Sequence, residues 1–182
     1  MVEAEREEVS RFVHNTMQRT YGCDAHALPS FVLVARQSGA LVGSVALAFD
    51  AAGTFPLEVV YALDENDFPI GCNRADVVQF GRWAASKKGI SEVLLYCAIA
   101  HALARGFLWG MSEVKPAVAR RFAQLGLRLH VLPARANLGC VPAAVLPYYL
   151  SPPPPVPCLL FLPHAYQVLR GRIGTILCRG VA

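Results

Sequence analysis

An arginine set in an apolar run is the first residue of this chain that calls for a chemical partner. Arg82 stands in Val77-Val78-Gln79-Phe80-Gly81-Arg82-Trp83-Ala84, which reads as a buried strand, and a guanidinium there needs an anion or a carbonyl beside it. That partner is either a ligand or another part of the protein. Trp83 is adequately explained by packing. Just downstream, Ser86-Lys87-Lys88-Gly89-Ile90-Ser91 precedes a run of helical spacing. Two lysines thus stand beside a helix N-terminus, where unpaired N–H groups and the helix dipole favour an anion. The bland alternative is a solvated turn that only caps the helix. The remaining reactive side chains form no constellation. His14, His26, His101, His130 and His164 lie too far apart for a metal motif, the six cysteines include no C-x-x-C pair, and Cys97 has no histidine near it in sequence. No metal site and no thiol nucleophile are expected.

Positioning these residues requires a sheet with helices against it. Val9, Phe12, Val13 and Met17 fall at helical spacing within Glu3 to Arg19, ahead of Tyr21-Gly22, where glycine can end a helix. Phe31 to Arg36 and Leu41 to Phe49 are β-rich runs separated by Gln37-Ser38-Gly39-Ala40, an antiparallel hairpin with glycine in its turn. Gly53 to Tyr61 then leads through an acidic loop or short helix, Leu63 to Pro69, into the strand that carries Arg82. Ser91 is a plausible N-cap, and Gly106 a stop, for a helix over 91–105. Phe107 to Met111 reads as a buried strand, Pro116 to Leu125 as a helix closing at Gly126, and Leu127 to Leu132 as a further strand. A proline-rich region, Pro133 to Pro157, contains Ser151-Pro152-Pro153-Pro154-Pro155, which favours a stiff extended segment. Cys158 to Leu162 reads as an edge strand. One domain over 1–169 and a weakly patterned C-terminal tail over 170–182 follow.

Composition limits what such a domain can do. Hydrophobic residues make up 54% of the chain and charged residues 16%, so either the core is generous or apolar surface is kept for a greasy ligand or partner. No uninterrupted apolar stretch reaches the roughly 18 residues of a membrane-spanning helix. The N-terminus is acidic where a signal peptide needs a basic start, so a cytoplasmic protein with reduced cysteines is expected. Ten of the 13 acidic residues precede position 68, which leaves the rest of the chain basic and suited to an anionic partner.

From Phe31 to Arg128 the order of elements resembles the core of the GNAT (Gcn5-related) acyltransferase superfamily. In that family the fourth strand commonly ends in Glu-x-x-Arg-x-Ala. Gln79-Phe80-Gly81-Arg82-Trp83-Ala84 is similar to it, with glutamine in the acid's place. Ala119 to Leu127 looks like the late helix that reads Phe-Tyr-x-x-x-Gly-Phe in family members. Phe55-Pro56-Leu57-Glu58 resembles the branch of autoinducer synthases and long-chain N-acyl amino acid synthases. Tyr21-Gly22-Cys23, Phe55-Pro56-Leu57-Glu58, Val78 to Ala84 and Pro147-Tyr148-Tyr149 equally resemble the landmarks of the thermostable hemolysin family.

The resemblance implies an α/β fold of GNAT type, a central mixed twisted sheet flanked by helices. It also implies transfer of a fatty acyl group from acyl carrier protein or acyl-CoA to the amine of a small acceptor such as an amino acid. The donor, acyl-CoA or acyl-phosphopantetheine, would be a substrate and not a covalently bound cofactor, and its phosphates would lie on Ser86, Lys87, Lys88, Gly89, Ile90 and Ser91. Catalysis would fall to Gln79, Arg82 and Glu58. An amide cannot act as a general base, so Gln79 would orient the amine while a water relays its proton to Glu58 or Asp76. Phe122 stands where relatives carry the tyrosine that protonates the departing thiolate, and Tyr96 is the available substitute. Val59, Tyr61, Phe80, Leu108, Val145, Leu146 and Tyr148 would line an acyl tunnel or simply fill the core. Lys87, Lys88, Arg120 and Arg121 would offer a face to an acidic carrier protein. No nucleic-acid partner is expected. The alternatives are a GNAT-shaped binding protein without activity and a membrane-active, hemolysin-like protein.

Overall fold

The computed structural model describes residues 3–24, 31–49, 53–87 and 89–179. Lys88, His26 and residues 180–182 of the expected tail lie outside the described residues. Six strands form one sheet in the order β1-β2-β3-β4-β6-β5. They are β1 (Phe31–Gln37), β2 (Ala40–Ala48), β3 (Val77–Ala85), β4 (Trp109–Val114), β5 (Leu129–Val131) and β6 (Val156–Phe161). The pair β3–β4 is parallel and every other neighbouring pair is antiparallel. Helices α1 (Glu3–Tyr21), α2 (Pro56–Tyr61), α3 (Ile90–Ala104), α4 (Pro116–Gln124), α5 (Leu146–Leu150) and α6 (Leu162–Arg179) flank it. The mixed α/β layout implied by the resemblance is the one observed.

Alternation along the central strands sends side chains into two separate cores. Val78 and Phe80 of β3 join Leu94, Leu95 and Ile99 of α3, Phe122 of α4 and Leu162 of α6. On the other face Val77 and Met111 join Phe55, Leu57 and Tyr61 around α2 and Tyr149 of α5. The β1–β2 turn carries positive φ at both Ser38 and Gly39, the left-handed pair whose twist suits a two-residue hairpin. Two other glycines are required by contact. A Cβ on Gly43 would stand 2.7 Å from Ile90 Cγ2 and from Leu94 Cδ1, and one on Gly110 would stand 2.5 Å from Phe80 Cε2. The first lets α3 settle on β2. The second lets the Phe80 ring cross β4.

Several expectations are corrected. The stretch Gly53 to Tyr61 contains α2, begun by Pro56 at its first position, where proline loses no helical hydrogen bond. Gly89, not Ser91, stands at the N-cap of α3, with φ of 85°, a conformation that favours glycine. Segment β6 is an interior strand between β4 and β5, and Pro157, Cys158, Leu159 and Leu160 are all buried, as an edge would not require. The expected tail is the second half of α6 as far as Arg179. Leu162, Ala165, Leu169 and Ile173 are buried at helical spacing, and the last of them lies past the expected boundary.

Candidate active site

Strands β3 and β4 pair only at Val77–Trp109, Val78–Gly110 and Gln79–Met111. Beyond that point β3 stays on β2 as far as Ala85, and β4 stays on β6 as far as Val114. The sheet therefore parts at its centre. On β3 the parting coincides with a bulge, because Ala46 pairs with Gly81 while Ser44 pairs with Ala84. Arg82 occupies it with φ of 48°, a left-handed conformation that is strained for a residue with a Cβ. Its carbonyl accepts a hydrogen bond from Ser44 Oγ at 3.4 Å. The extra residue resets the alternation of side chains. Trp83 turns to the α3–α4 face, its ring 5.3 Å from that of Phe122, whereas the charge of Arg82 acts on Glu113 and Tyr149 on the opposite face.

On the α3–α4 face, Trp83, Ala85, Ser91, Glu92, Leu95, Val118, Arg121, Phe122 and Leu125 line a cleft of about 210 Å³. The start of α3 opens beside it. The N–H groups of Glu92 and Val93 both reach the Gly89 carbonyl, so the helical ladder leaves those of Ile90 and Ser91 at the positive end of the helix. Ser86 is held against β2, its backbone N–H and its hydroxyl both donating to the Val42 carbonyl. Lys87 Nζ donates to Gln37 Oε1 at 2.6 Å. Arg121 on α4 donates to Glu92 on α3 at 3.1 Å, which joins the two walls of the cleft.

The opposite face is polar but compact. Gln79 Oε1 accepts from the backbone N–H of Leu57 at 3.1 Å, pinning the first turn of α2. Glu58 is buried. It accepts from the backbone N–H of Phe55 at 2.7 Å and from Arg74 Nε at 2.7 Å, the reach-back half of a capping box. Farther along β4, Glu113 accepts from Tyr61 Oη at 3.0 Å and from Tyr149 Oη at 2.9 Å. Burial holds its carboxyl above the ordinary glutamate range, against the opposing pull of the two tyrosine bonds, Arg82 and Lys115. Both tyrosine hydroxyls are pushed far above their usual range, first by burial and then by the Glu113 charge. Lys115, buried just after β4, donates to the carbonyls of Tyr148, Ser151 and Pro153 and stands 4.8 Å from the Tyr148 ring centre. It fastens α5 and the proline-rich segment to the sheet.

The expected site residues are thus divided between the two faces. Ser86 and Lys87 follow β3, and Gly89, Ile90 and Ser91 open α3 beside the cleft, whereas Gln79, Arg82 and Glu58 belong to the other side. Both carboxylate oxygens of Glu58 are engaged, by the Phe55 N–H and by Arg74, so its observed work is to hold α2. Tyr96 Oη donates to Tyr166 at 3.1 Å, a partnership between α3 and α6. Of the expected tunnel residues, Tyr61, Val145, Leu146 and Tyr148 gather in or against one core, Phe80 lies in the other, and Val59 and Leu108 are exposed. Among the described residues the histidines form no metal-binding group, with His14 against Asp24 and His101 stacked on Phe31. Sequence reasoning missed Glu113, Tyr149 and Lys115. The adjacent Tyr148-Tyr149 pair was visible as a landmark, but nothing local linked it to a glutamate on another strand.

Among the described residues no helix is long and apolar enough to cross a membrane. No curated protein sequence matches the chain. Solved structures do. TofI in a ternary complex with an inhibitor and MTA superposes with a TM-score of 0.69 at 15% identity, over 93% of this chain and 91% of that one. FeeM, an N-acyl amino acid synthase from uncultured soil microbes, gives 0.66 at 16% over 91% and 89%. The CoA-dependent acyl-homoserine lactone synthase BjaI, with SAM and isopentyl-CoA, gives 0.63 at 14% over 94% and 83%. These likenesses establish the GNAT fold. In sequence, a family model described as thermostable hemolysin matches residues 2–144, more than half of the chain, and the chain belongs to the thermostable hemolysin family.

Proposed function

We propose that this protein is an acyltransferase that moves an acyl group from a thioester to the amine of a small acceptor such as an amino acid. One observation carries the reading. The sheet opens after Gln79 and Met111, with an anion-favouring helix start on one face and a polar cluster on the other. A thioester must join two such environments, because its phosphates need N–H donors and cations while its carbonyl must meet an amine. FeeM and BjaI, which share the layout, are an N-acyl amino acid synthase and a CoA-dependent acyl-homoserine lactone synthase.

In this reading the turn Ser86, Lys87, Lys88, Gly89, Ile90 and Ser91 holds the phosphates of acyl-CoA or of an acyl carrier protein's phosphopantetheine. The pantetheine arm lies in the cleft between Trp83 and Phe122. Gln79 and Arg82 orient the acceptor and the thioester carbonyl, and Glu58 acts from behind by fixing α2. The exposed cations Lys87 and Arg120 meet an acidic carrier protein. The setting is the cytoplasm, where such thioesters are made.

The test offers purified protein decanoyl-CoA or decanoyl-loaded acyl carrier protein together with the proteinogenic amino acids. Free thiol and N-acyl products are then measured by mass spectrometry. Product formation is expected. Tight thioester binding with no product would favour a non-catalytic binding protein, a reading supported by Gln79 being engaged with Leu57 and by Phe122 having no proton to give. Neither binding nor product would end the transferase reading.

A further inference from the structure

We propose that Glu113 is the proton acceptor for the attacking amine, held in place by Tyr61 and Tyr149 where β4 has left β3. The proposal rests on the transferase reading above and supplies the group that reading lacks.

Position comes first. Met111 is the last β4 residue paired with β3, and Glu113, two residues on, lies on the same face of the strand. That is the face of Gln79, the register partner of Met111. Glu113 therefore stands beside the gap on the acceptor side. The residue is half-buried. Orientation comes second. One carboxylate oxygen is fixed from α2 by Tyr61 and the other from α5 by Tyr149. Each oxygen keeps a further lone pair for an incoming N–H.

Two other carboxylates, Glu58 and Glu92, are otherwise occupied. Glu58 is bound to Arg74 and the Phe55 N–H. Glu92 is paired with Arg121 on the donor face. Electrostatics then suits the task, because burial makes Glu113 a stronger base than an exposed glutamate. The titratable groups facing it are Tyr61 from α2, Tyr148 and Tyr149 from α5, Arg82 from β3, Lys115 after β4 and Cys158 from β6. Burial raises the Cys158 thiol to about 12 and pushes the hydroxyls of Tyr61, Tyr148 and Tyr149 far above their usual range. At neutral pH these groups stay protonated, so the carboxylate is the acceptor among them.

The lone pair of the neutral amine forms a bond to the thioester carbonyl carbon, and the C=O π pair moves to oxygen. The nitrogen, now cationic, gives one proton to the Glu113 carboxylate. The oxygen pair returns, the C–S bond breaks and the thiolate leaves. Glu113 then passes its proton to the thiolate. The products are an amide and a free thiol, and the carboxylate is regenerated.

The experiment compares the wild type with Glu113→Gln in the decanoyl thioester assay across pH. The substitution is expected to lower kcat about 100-fold or more, with the melting temperature not reduced and thioester binding retained. In the wild type, log kcat should rise with pH through the Glu113 titration and then level. The variant should lack that limb. Because Tyr149 donates a bond that stabilises the carboxylate, Tyr149→Phe should move the limb to higher pH, a second reading that does not depend on how Glu113→Gln folds. Unchanged kcat and an unchanged limb in Glu113→Gln, with an active wild type, would overturn the role of Glu113 alone. An inactive wild type would withdraw the transferase reading and this role together.

Discussion

The two faces of the parted sheet are assembled by different means. On the α3–α4 face the anion-favouring element is the start of α3, local in sequence, and its working parts are backbone N–H groups set by the left-handed Gly89. On the other face the polar cluster draws Tyr61, Arg82, Glu113 and Tyr149 from four elements scattered along the chain, and its working parts are side chains. A site made of backbone survives most side-chain changes. A site made of side chains depends on every element that carries one.

The largest expected break is at Lys115. Replacing it by Met leaves the carbonyls of Tyr148, Ser151 and Pro153 without their charged donor, at a cost of about 3 kcal/mol. Chemical denaturation should show that loss. In the surviving folded protein the fluorescence of Trp83 and coenzyme A binding should persist, because the cleft between α3 and α4 shares no residue with the Lys115 anchor. Equal loss of both would show that the faces are not independent. Next in size is Gly110→Ala. Its Cβ would meet Phe80 Cε2 at 2.5 Å and Leu162 Cδ2 at 2.9 Å, so overpacking should cost about 1–3 kcal/mol. A thermal melt checks it, and both faces should suffer because Phe80 crosses the strands next to where they separate.

A smaller effect concerns pH. Glu113 titrates above the ordinary glutamate range in the folded protein, so the folded state holds this proton more tightly than the unfolded chain. The sign is the reverse of the usual carboxylate. Its contribution is fully present below the unfolded value and is lost as pH rises through the raised one. Glu113→Gln should therefore gain stability relative to wild type as the solution moves from acidic to mildly alkaline, in denaturation midpoints followed across pH. The smallest effect is expected for Arg121→Ala. The Arg121–Glu92 pair is partly solvated and its loss should cost under about 1 kcal/mol, with any further change confined to the α3–α4 face.

This division explains what could be read in advance. Hairpin, central strand, basic glycine turn and late helix are local patterns of spacing and turn chemistry, and each appears near its expected position. The glycine turn that opens α3 was legible for the same reason. Arg82 was legible as a residue in need of an anion, because a guanidinium in an apolar strand is costly, but its neighbour was not. Glu113 lies 31 positions further on, in a strand whose local sequence gives no hint that pairing with β3 has stopped. The bulge was equally hidden, since an extra residue in a strand leaves no mark until the partner's register is known. Glu58 misled because a glutamate before a central strand looks available, whereas helix α2 needs it at its own N-terminus. At the C-terminal end, proline and weak patterning obscured an interior strand and most of a helix.

Strand β6 carries one more consequence, for the birth of the protein. It is the sheet neighbour of both β4 and β5, yet it is synthesised after both. Until Val156–Phe161 has left the ribosome, β5 has no partner within the sheet and the open edge of β4 offers unpaired backbone groups to any extended chain nearby. Local pairing of β1 with β2 can begin early, while closure of the far half waits for a long-range insertion, the slow kind of contact in folding. A nascent chain halted in the proline-rich stretch before β6 should therefore be the species most in need of a chaperone.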